Sequence, residues 1–196
     1  LTFALLLDGR DADTETLAGE DTLLSDGQTA IDRLNTLHGP GPAGPRFLLL
    51  HRRRLLNTAE NKWMGWERKR GKLHEFNRLL RGASDTSFVT VDGGSPVVPD
   101  DVRYVITLDA DTRLPRDTAL KLVGKMAHAL NRPIFSDDLK RVVGGYGILQ
   151  PRVTPSLPVG REGSLYQRVF SAPGGIDPYA AAISDVYQDL FGEGSY

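Results

Sequence analysis

Four short apolar runs, "LTFALLLD" at residues 1–8, "RFLLLHR" at 46–52, "SFVTVDG" at 87–93 and "VRYVITLD" at 102–109, are each too short for a buried helix and read as strands. Helical patterns separate them. Residues 20–38 carry Leu23, Leu24, Ile31, Leu34 and Leu37 at roughly helical spacing until "GPGPAGP" returns the chain. "ERKRGKLHEFNRLLRG" puts Leu73, Phe76, Leu79 and Leu80 on one helical face, with Gly82 suited to a C-terminal cap. After the fourth run, Pro115 suits a first helical turn. Ala119, Leu120, Val123, Met126, Ala127 and Leu130 then form a stripe that ends before Pro133. "RVVGGYGILQPRV" is a further strand region interrupted by glycines, and residues 161–172 and 177–191 read as two more helices. Strands alternating with helices predict an α/β domain with a mostly parallel sheet, whose working residues gather at strand C-termini.

Composition agrees with a folded domain. The chain has 196 residues, 40% hydrophobic and 25% charged, a size and balance expected of one domain. No apolar run approaches the ~20 residues of a membrane span, so this stretch is expected to be soluble. It contains no cysteine, which excludes disulfides and thiolate metal sites. It begins at Leu1 and ends in "GEGSY", and so reads as a piece of something longer. The net charge of −1 hides an asymmetry. Residues 8–32 carry Asp8, Asp11, Asp13, Glu15, Glu20, Asp21, Asp26 and Asp32 against Arg10, whereas residues 51–81 hold ten Lys/Arg against three Glu. Such a basic stretch calls for anions or for a solvated face. No nucleic-acid recognition signature accompanies it, so nucleic acid is not an expected partner.

The tetrapeptide "DADT" occurs twice, at 11–14 and at 109–112. Asp109 stands where "YVITL" stops, and Asp111 two residues on can point to the same side of the exit loop, which would converge two carboxylates. Mg²⁺ and Mn²⁺ prefer carboxylate oxygens, keep several waters and are completed by substrate phosphates, so one or two acids suffice. The competing reading is that the pair only caps the next helix. Asp11 and Asp13 lie beyond their strand in a polar run and are expected to be solvated. Asp8, at the strand end itself, is the better candidate from that region. Phosphatases of the haloacid dehalogenase type also follow a strand with Asp-x-Asp, but they need Thr or Val where this chain has Arg113.

Four segments in order, "WMGWERKRGKLHEFNRLLRG", "YVITLDADTRLP", "GILQPRV" and "GGIDPYAAAISDVYQDLFGEGSY", resemble the glycosyltransferase domain of cyclic β-1,2-glucan synthases. The likeness spans nearly the whole chain, residues 1–196 then being part of a UDP-sugar-binding domain. That family is similar to cellulose-synthase-like transferases, and the resemblance implies a GT-A-like α/β/α sandwich, incomplete here, that uses UDP-glucose and Mg²⁺ or Mn²⁺. By the same resemblance Asp109 and Asp111 match the metal-binding Asp-x-Asp and Asp8 an acid that contacts the uridine. Lys69 with Gly71 resembles a Lys-x-Gly segment near the diphosphate. Where related synthases have an Asn after that Lys, this chain has His74.

The implied reaction is transfer of glucose from UDP-glucose to the 2-hydroxyl of a growing β-1,2-glucan acceptor, with inversion, at the cytoplasmic face of a bacterial inner membrane within a larger membrane synthase. A non-catalytic nucleotide- or glucan-binding module is the alternative, and a phosphohydrolase a more distant one. Trp63 and Trp66 suit either stacking on sugar rings or burial in the core. Asp8 is expected to face Asp109 and Asp111 across a cleft. The family's central strand before residue 1 is absent, which predicts self-association or local disorder near residues 1–8. The family's catalytic base, in an acidic motif downstream of the acceptor-lining "FGEGSY", is absent too, and Asp177 and Asp185 do not replace it. The chain alone is therefore expected to be inactive.

Overall fold

The computed structural model describes residues 1–151. By its internal contacts the chain divides into two compact units, Leu1–Val105 and Ile106–Tyr196.

In the first unit, β1 (Phe3–Asp8) and β2 (Phe47–Arg52) run parallel, from Phe3 opposite Phe47 to Asp8 opposite Arg52. Parallel neighbours need a long crossover, and α1 (Glu20–His38) supplies it. After β2 come an antiparallel hairpin of β3 (Leu55–Asn57) and β4 (Lys62–Met64), then α2 (Arg68–Leu80). The short β5 (Phe88–Val89) joins the far side of β2 antiparallel, giving the order β1-β2-β5.

The alternation of side chains along β2 decides what each helix covers. Leu49 points toward α1, where a Cβ added to Gly27 would meet it at 3.6 Å, and Ile31 of α1 is buried. Asn35 fixes that helix to the sheet: its Nδ2 donates to the Phe47 carbonyl at 2.9 Å, and its Oδ1 accepts the Phe47 N–H at 3.0 Å. Leu48 and Leu50 point the other way, into a core of Leu50, Phe76, Leu79 and Phe88 flanked by Leu6, Leu80 and Val98. Phe76 of α2 meets Phe88 of β5 edge-on at 6.2 Å. Leu50 is 2% exposed, and its burial contributes about 1.5–3 kcal/mol. A helix thus lies on each face of a small sheet. Gly82, at φ +87°, ends α2 as expected, with its N–H on the Leu79 carbonyl.

Several expectations are corrected. "VRYVITLD", predicted to be a strand, pairs with no strand among the described residues, and Val105, Ile106 and Leu108 are 38–49% exposed. Apolar β-branched sequence supplies the propensity, but a strand also requires a neighbour with free backbone groups. Among the described residues, parallel pairing is accordingly confined to β1 and β2. Among the described residues the architecture is mixed α/β with small sheets. Residues 3–8, where disorder was one expectation, form a regular strand because β2 pairs with all six of them. Among the described residues β1 is nonetheless an edge, with Phe3 and Leu5 about half exposed.

The second unit holds α3 (Thr118–Ala127), a 3₁₀ turn at Ala129–Asn131, and a hairpin of β6 (Ile134–Ser136) with β7 (Arg141–Gly144). Of the glycine-broken strand region only Arg141–Gly144 is a strand, paired locally and antiparallel, and residues 145–151 are not. In α3 the half-buried stripe is Ala119, Leu122, Val123 and Met126, whereas Leu120 is exposed, as is Leu130 beyond it. The helices expected at 161–172 and 177–191, with Asp177, Asp185 and "FGEGSY", lie outside the described residues.

Candidate functional site

Arg52 closes β2 on the same face as Leu48 and Leu50, and its side chain is fully buried where that face meets α2. A buried guanidinium must spend its donors on fixed acceptors. Arg52 Nε donates to Asp8 Oδ1 at 2.7 Å, and Nη1 donates to Glu75 Oε2 at 2.9 Å and to the Trp66 carbonyl at 3.0 Å. Nη2 donates to the Arg68 carbonyl at 2.9 Å. Glu75, on the inner face of α2, also accepts from the Ser87 N–H at 3.0 Å and the Ser87 hydroxyl at 2.5 Å. Burial works to raise the Glu75 pKa, but the hydrogen bonds from Ser87 and Arg52 outweigh it and hold the group below its usual range. Lys72, one helical turn before Glu75, reaches Asp8 Oδ2 at 3.1 Å.

The two carbonyls that Arg52 holds flank a strained turn. Glu67 and Arg68, just before and at the start of α2, have φ of +51° and +48°, left-handed values that are costly for residues with a Cβ. Such strain persists where the surroundings over-determine it, and two bonds from one buried guanidinium do that here. Gly71 fits the same geometry: a Cβ there would collide with the Trp66 carbonyl oxygen. At Gly65 a Cβ would lie 2.6 Å from Arg52 Nη2 and 3.0 Å from Asp8 Oδ1. The segment 65–71 is therefore pressed against the ends of β1 and β2.

The anions that the basic stretch calls for are in large part the acids of the amino-terminal segment. Arg54 pairs with Glu20, Lys62 with Asp13 at 2.5 Å and Arg68 with Asp11 at 2.9 Å, besides the Asp8 contacts to Arg52 and Lys72. Hydrogen bonding to Arg54 holds Glu20 below the usual carboxylate range and raises Arg54 in turn. His51, half-buried on the α1 face of β2, is pushed down by burial. Asp11 and Asp13 are exposed, as expected of a solvated loop, and Ala12 between them is buried by its backbone bridge to Trp63.

The structure brings Asp8 and Gly71 to the same corner of the first unit, together with the first turn of α2, which carries Lys69. The lysine on Asp8 is Lys72, however, and Lys69 is exposed. Arg52, Lys72 and Glu75 were missed by sequence reasoning. A usable signal existed for Arg52, the residue in register with Asp8 at the end of an equally apolar strand. Trp63 is half-buried. Trp66 is 46% exposed and meets His74 edge-on at 5.8 Å.

In the second unit, Asp109 and Asp111 are exposed on a turn closed by the Thr112 N–H donating to the Asp109 carbonyl at 3.0 Å. They follow the 102–108 segment, which pairs with no strand among the described residues. Among the described residues no group of three or more His, Asp or Glu is gathered for a metal. Two carboxylates on one turn still match the donor chemistry of a hard divalent cation that keeps several waters.

No protein-family model matches the chain. It is 53% identical over 194 residues to the cyclic beta-(1,2)-glucan synthase NdvB of Rhizobium meliloti (strain 1021), a span of 99% of this chain. The resemblance to cyclic β-1,2-glucan synthases holds. The chain spans about 7% of the length of that relative. Among the described residues no helix is long and apolar enough to cross a membrane.

Proposed function

We propose that the chain is the donor-binding part of an inverting glucosyltransferase that moves glucose from UDP-glucose to the 2-hydroxyl of a growing β-1,2-glucan, within a larger membrane synthase whose transferase domain has a GT-A-like fold and works at the cytoplasmic face. The observation that carries this is the 53% identity to a cyclic β-(1,2)-glucan synthase across nearly the entire chain. The Asp8 corner supports it. Asp8 accepts from Arg52 and Lys72, and a carboxylate offers about four acceptor sites, so it retains capacity for an N–H of the uracil ring. Lys69 stands on the first turn of α2, where its charge and the helix dipole both favour a diphosphate. Gly71 lets that turn sit against Trp66 and hold its position.

Asp109 and Asp111 would hold Mg²⁺ or Mn²⁺, which when bound supplies positive charge for the diphosphate of the leaving UDP. Inversion by direct displacement requires a general base on the acceptor hydroxyl. In this reading the base comes from another part of the synthase. The test is incorporation of labelled glucose from UDP-glucose into β-1,2-glucan by the whole synthase. Asp8→Asn, Asp109→Ala and Asp111→Ala should each reduce it severely while the protein accumulates normally. Wild-type incorporation by any one variant removes that residue from the site.

A further inference from the structure

Arg52 serves two groups that a nucleotide in the proposed site would meet at its two ends. Its Nε holds Asp8 Oδ1 at 2.7 Å, while Nη1 and Nη2 hold the Trp66 and Arg68 carbonyls at 3.0 and 2.9 Å. Those carbonyls bracket Glu67, and Lys69 follows directly. A guanidinium is a rigid planar fork, so its donors move together. The side chain is 0% exposed, so no water takes over a bond that is given up. Glu75 anchors the fork from α2: it accepts from Nη1 at 2.9 Å and is itself fixed by the Ser87 N–H at 3.0 Å.

The packing leaves this fork no slack. At Gly65 the chain passes Arg52 and Asp8 with no room even for a Cβ. A displacement of Asp8 therefore draws on Nε, turns the fork and loosens the carbonyl bonds on its other side. Glu67 and Arg68, at φ +51° and +48°, then have strain to release, and Lys69 moves with them. We propose that Arg52 is a positioning residue that couples the base end of the nucleotide site, at Asp8, to the diphosphate end, at the turn that carries Lys69. The proposal deepens the donor-site reading and rests on it for the ligand. It gives Glu75 a part in binding although its side chain is 9% exposed and meets Arg52 and Ser87 rather than the site itself.

The test uses the 196-residue chain, which has two tryptophans, so Trp63→Phe leaves Trp66 as the reporter of the turn. In that background Asp8→Asn, Glu75→Gln and Arg52→Lys should each shift the Trp66 emission without ligand. Ile31→Val, buried in α1 on the other face of the sheet, should not. Calorimetric titration of UDP in chelator then reads the coupling, with far-UV circular dichroism showing that each variant is folded. Glu75→Gln should weaken UDP roughly threefold or more, and Arg52→Lys as well, since one ammonium cannot reproduce the fork. Asp8→Asn combined with Lys69→Ala should lose about threefold or more less affinity than the product of the single losses, and that shortfall should vanish in Arg52→Lys. If Arg52→Lys does not fold, Glu75→Gln and Asp8→Asn decide. Unshifted Trp66 emission in Asp8→Asn overturns the proposal, whether or not UDP binds. Full UDP affinity in Glu75→Gln overturns it too. Shifted emission with no UDP binding by the folded wild-type chain refutes the donor-site reading and leaves the link between Asp8 and the turn standing.

Discussion

Replacing Arg52 by Met keeps the apolar stem and removes every guanidinium donor at the junction of β1, β2 and α2. Glu75, whose side chain is 9% exposed, then keeps only its Ser87 contacts, and breaking a buried ion pair from one side costs about 3–5 kcal/mol. The Trp66 and Arg68 carbonyls also lose their donors, each a loss of ~1–3 kcal/mol where water cannot reach. Asp8 loses less, since it is 20% exposed and retains Lys72. These effects share one group and do not add. The expected loss is therefore about 3–5 kcal/mol, a large fraction of the ~5–15 kcal/mol that holds a typical domain. For a chain of this size it corresponds to a fall in Tm of roughly 6–20 °C. Urea unfolding followed by circular dichroism measures it. Arg52→Met combined with Glu75→Met should be less destabilised than the sum of the single changes, by ~0.5–3 kcal/mol. A loss below ~1 kcal/mol for Arg52→Met, or strict additivity, refutes the network as the element that holds this corner.

Burial depresses His51, while Glu20 and Asp8 favour its charged form and Arg54 opposes it. A folded-state pKa below the unfolded value of 6.5 gives stability that is present above that value and lost as pH falls through the folded pKa. Urea midpoints should thus decline as the pH is lowered below 6.5, and His51→Gln should flatten the decline; an unchanged slope contradicts the assignment. Gly71→Ala should destabilise the chain by forcing α2 off Trp66, whereas Gly124→Ala, in open space on α3, should stabilise it by about 0.5–1 kcal/mol. Thermal melts compare the two, and equal effects would refute the steric account. The isolated chain should form no labelled β-1,2-glucan from UDP-glucose and Mn²⁺, since a positioned base contributes ~10²–10⁴-fold. Robust product abolished by Asp111→Ala would place a base within these residues.

Elements with a strong local signature were legible. The helix expected at 20–38 is α1, residue for residue, because its apolar spacing runs into a Gly/Pro stop. β1, β2 and α2 were legible for the same reason, and α2 buries Phe76 and Leu79 as its periodicity requires. The hairpins were not foreseen, although "NTAEN" contains the turn chemistry: Asn57 Oδ1 accepts the Ala59 and Glu60 N–H groups, and Asn61 takes a φ of +49°. The segment 102–109 shows what propensity cannot decide, since a strand exists only with a partner. At the site, the strand-end position of Asp8 was legible and its partners were not. Arg52 and Glu75 read as surface charges until the register of β1 with β2 turns the first inward and the helical face turns the second.

The proposed metal-assisted binding of UDP is tested most directly by calorimetric titration of UDP in Mn²⁺ and in chelator. Binding should be clearly tighter in Mn²⁺, and Asp109→Ala and Asp111→Ala should remove that gain while leaving the weaker binding in chelator largely unchanged. Asp8→Asn should weaken binding in both conditions. UDP binding of equal strength with and without Mn²⁺, or no binding by the folded chain, would contradict the account.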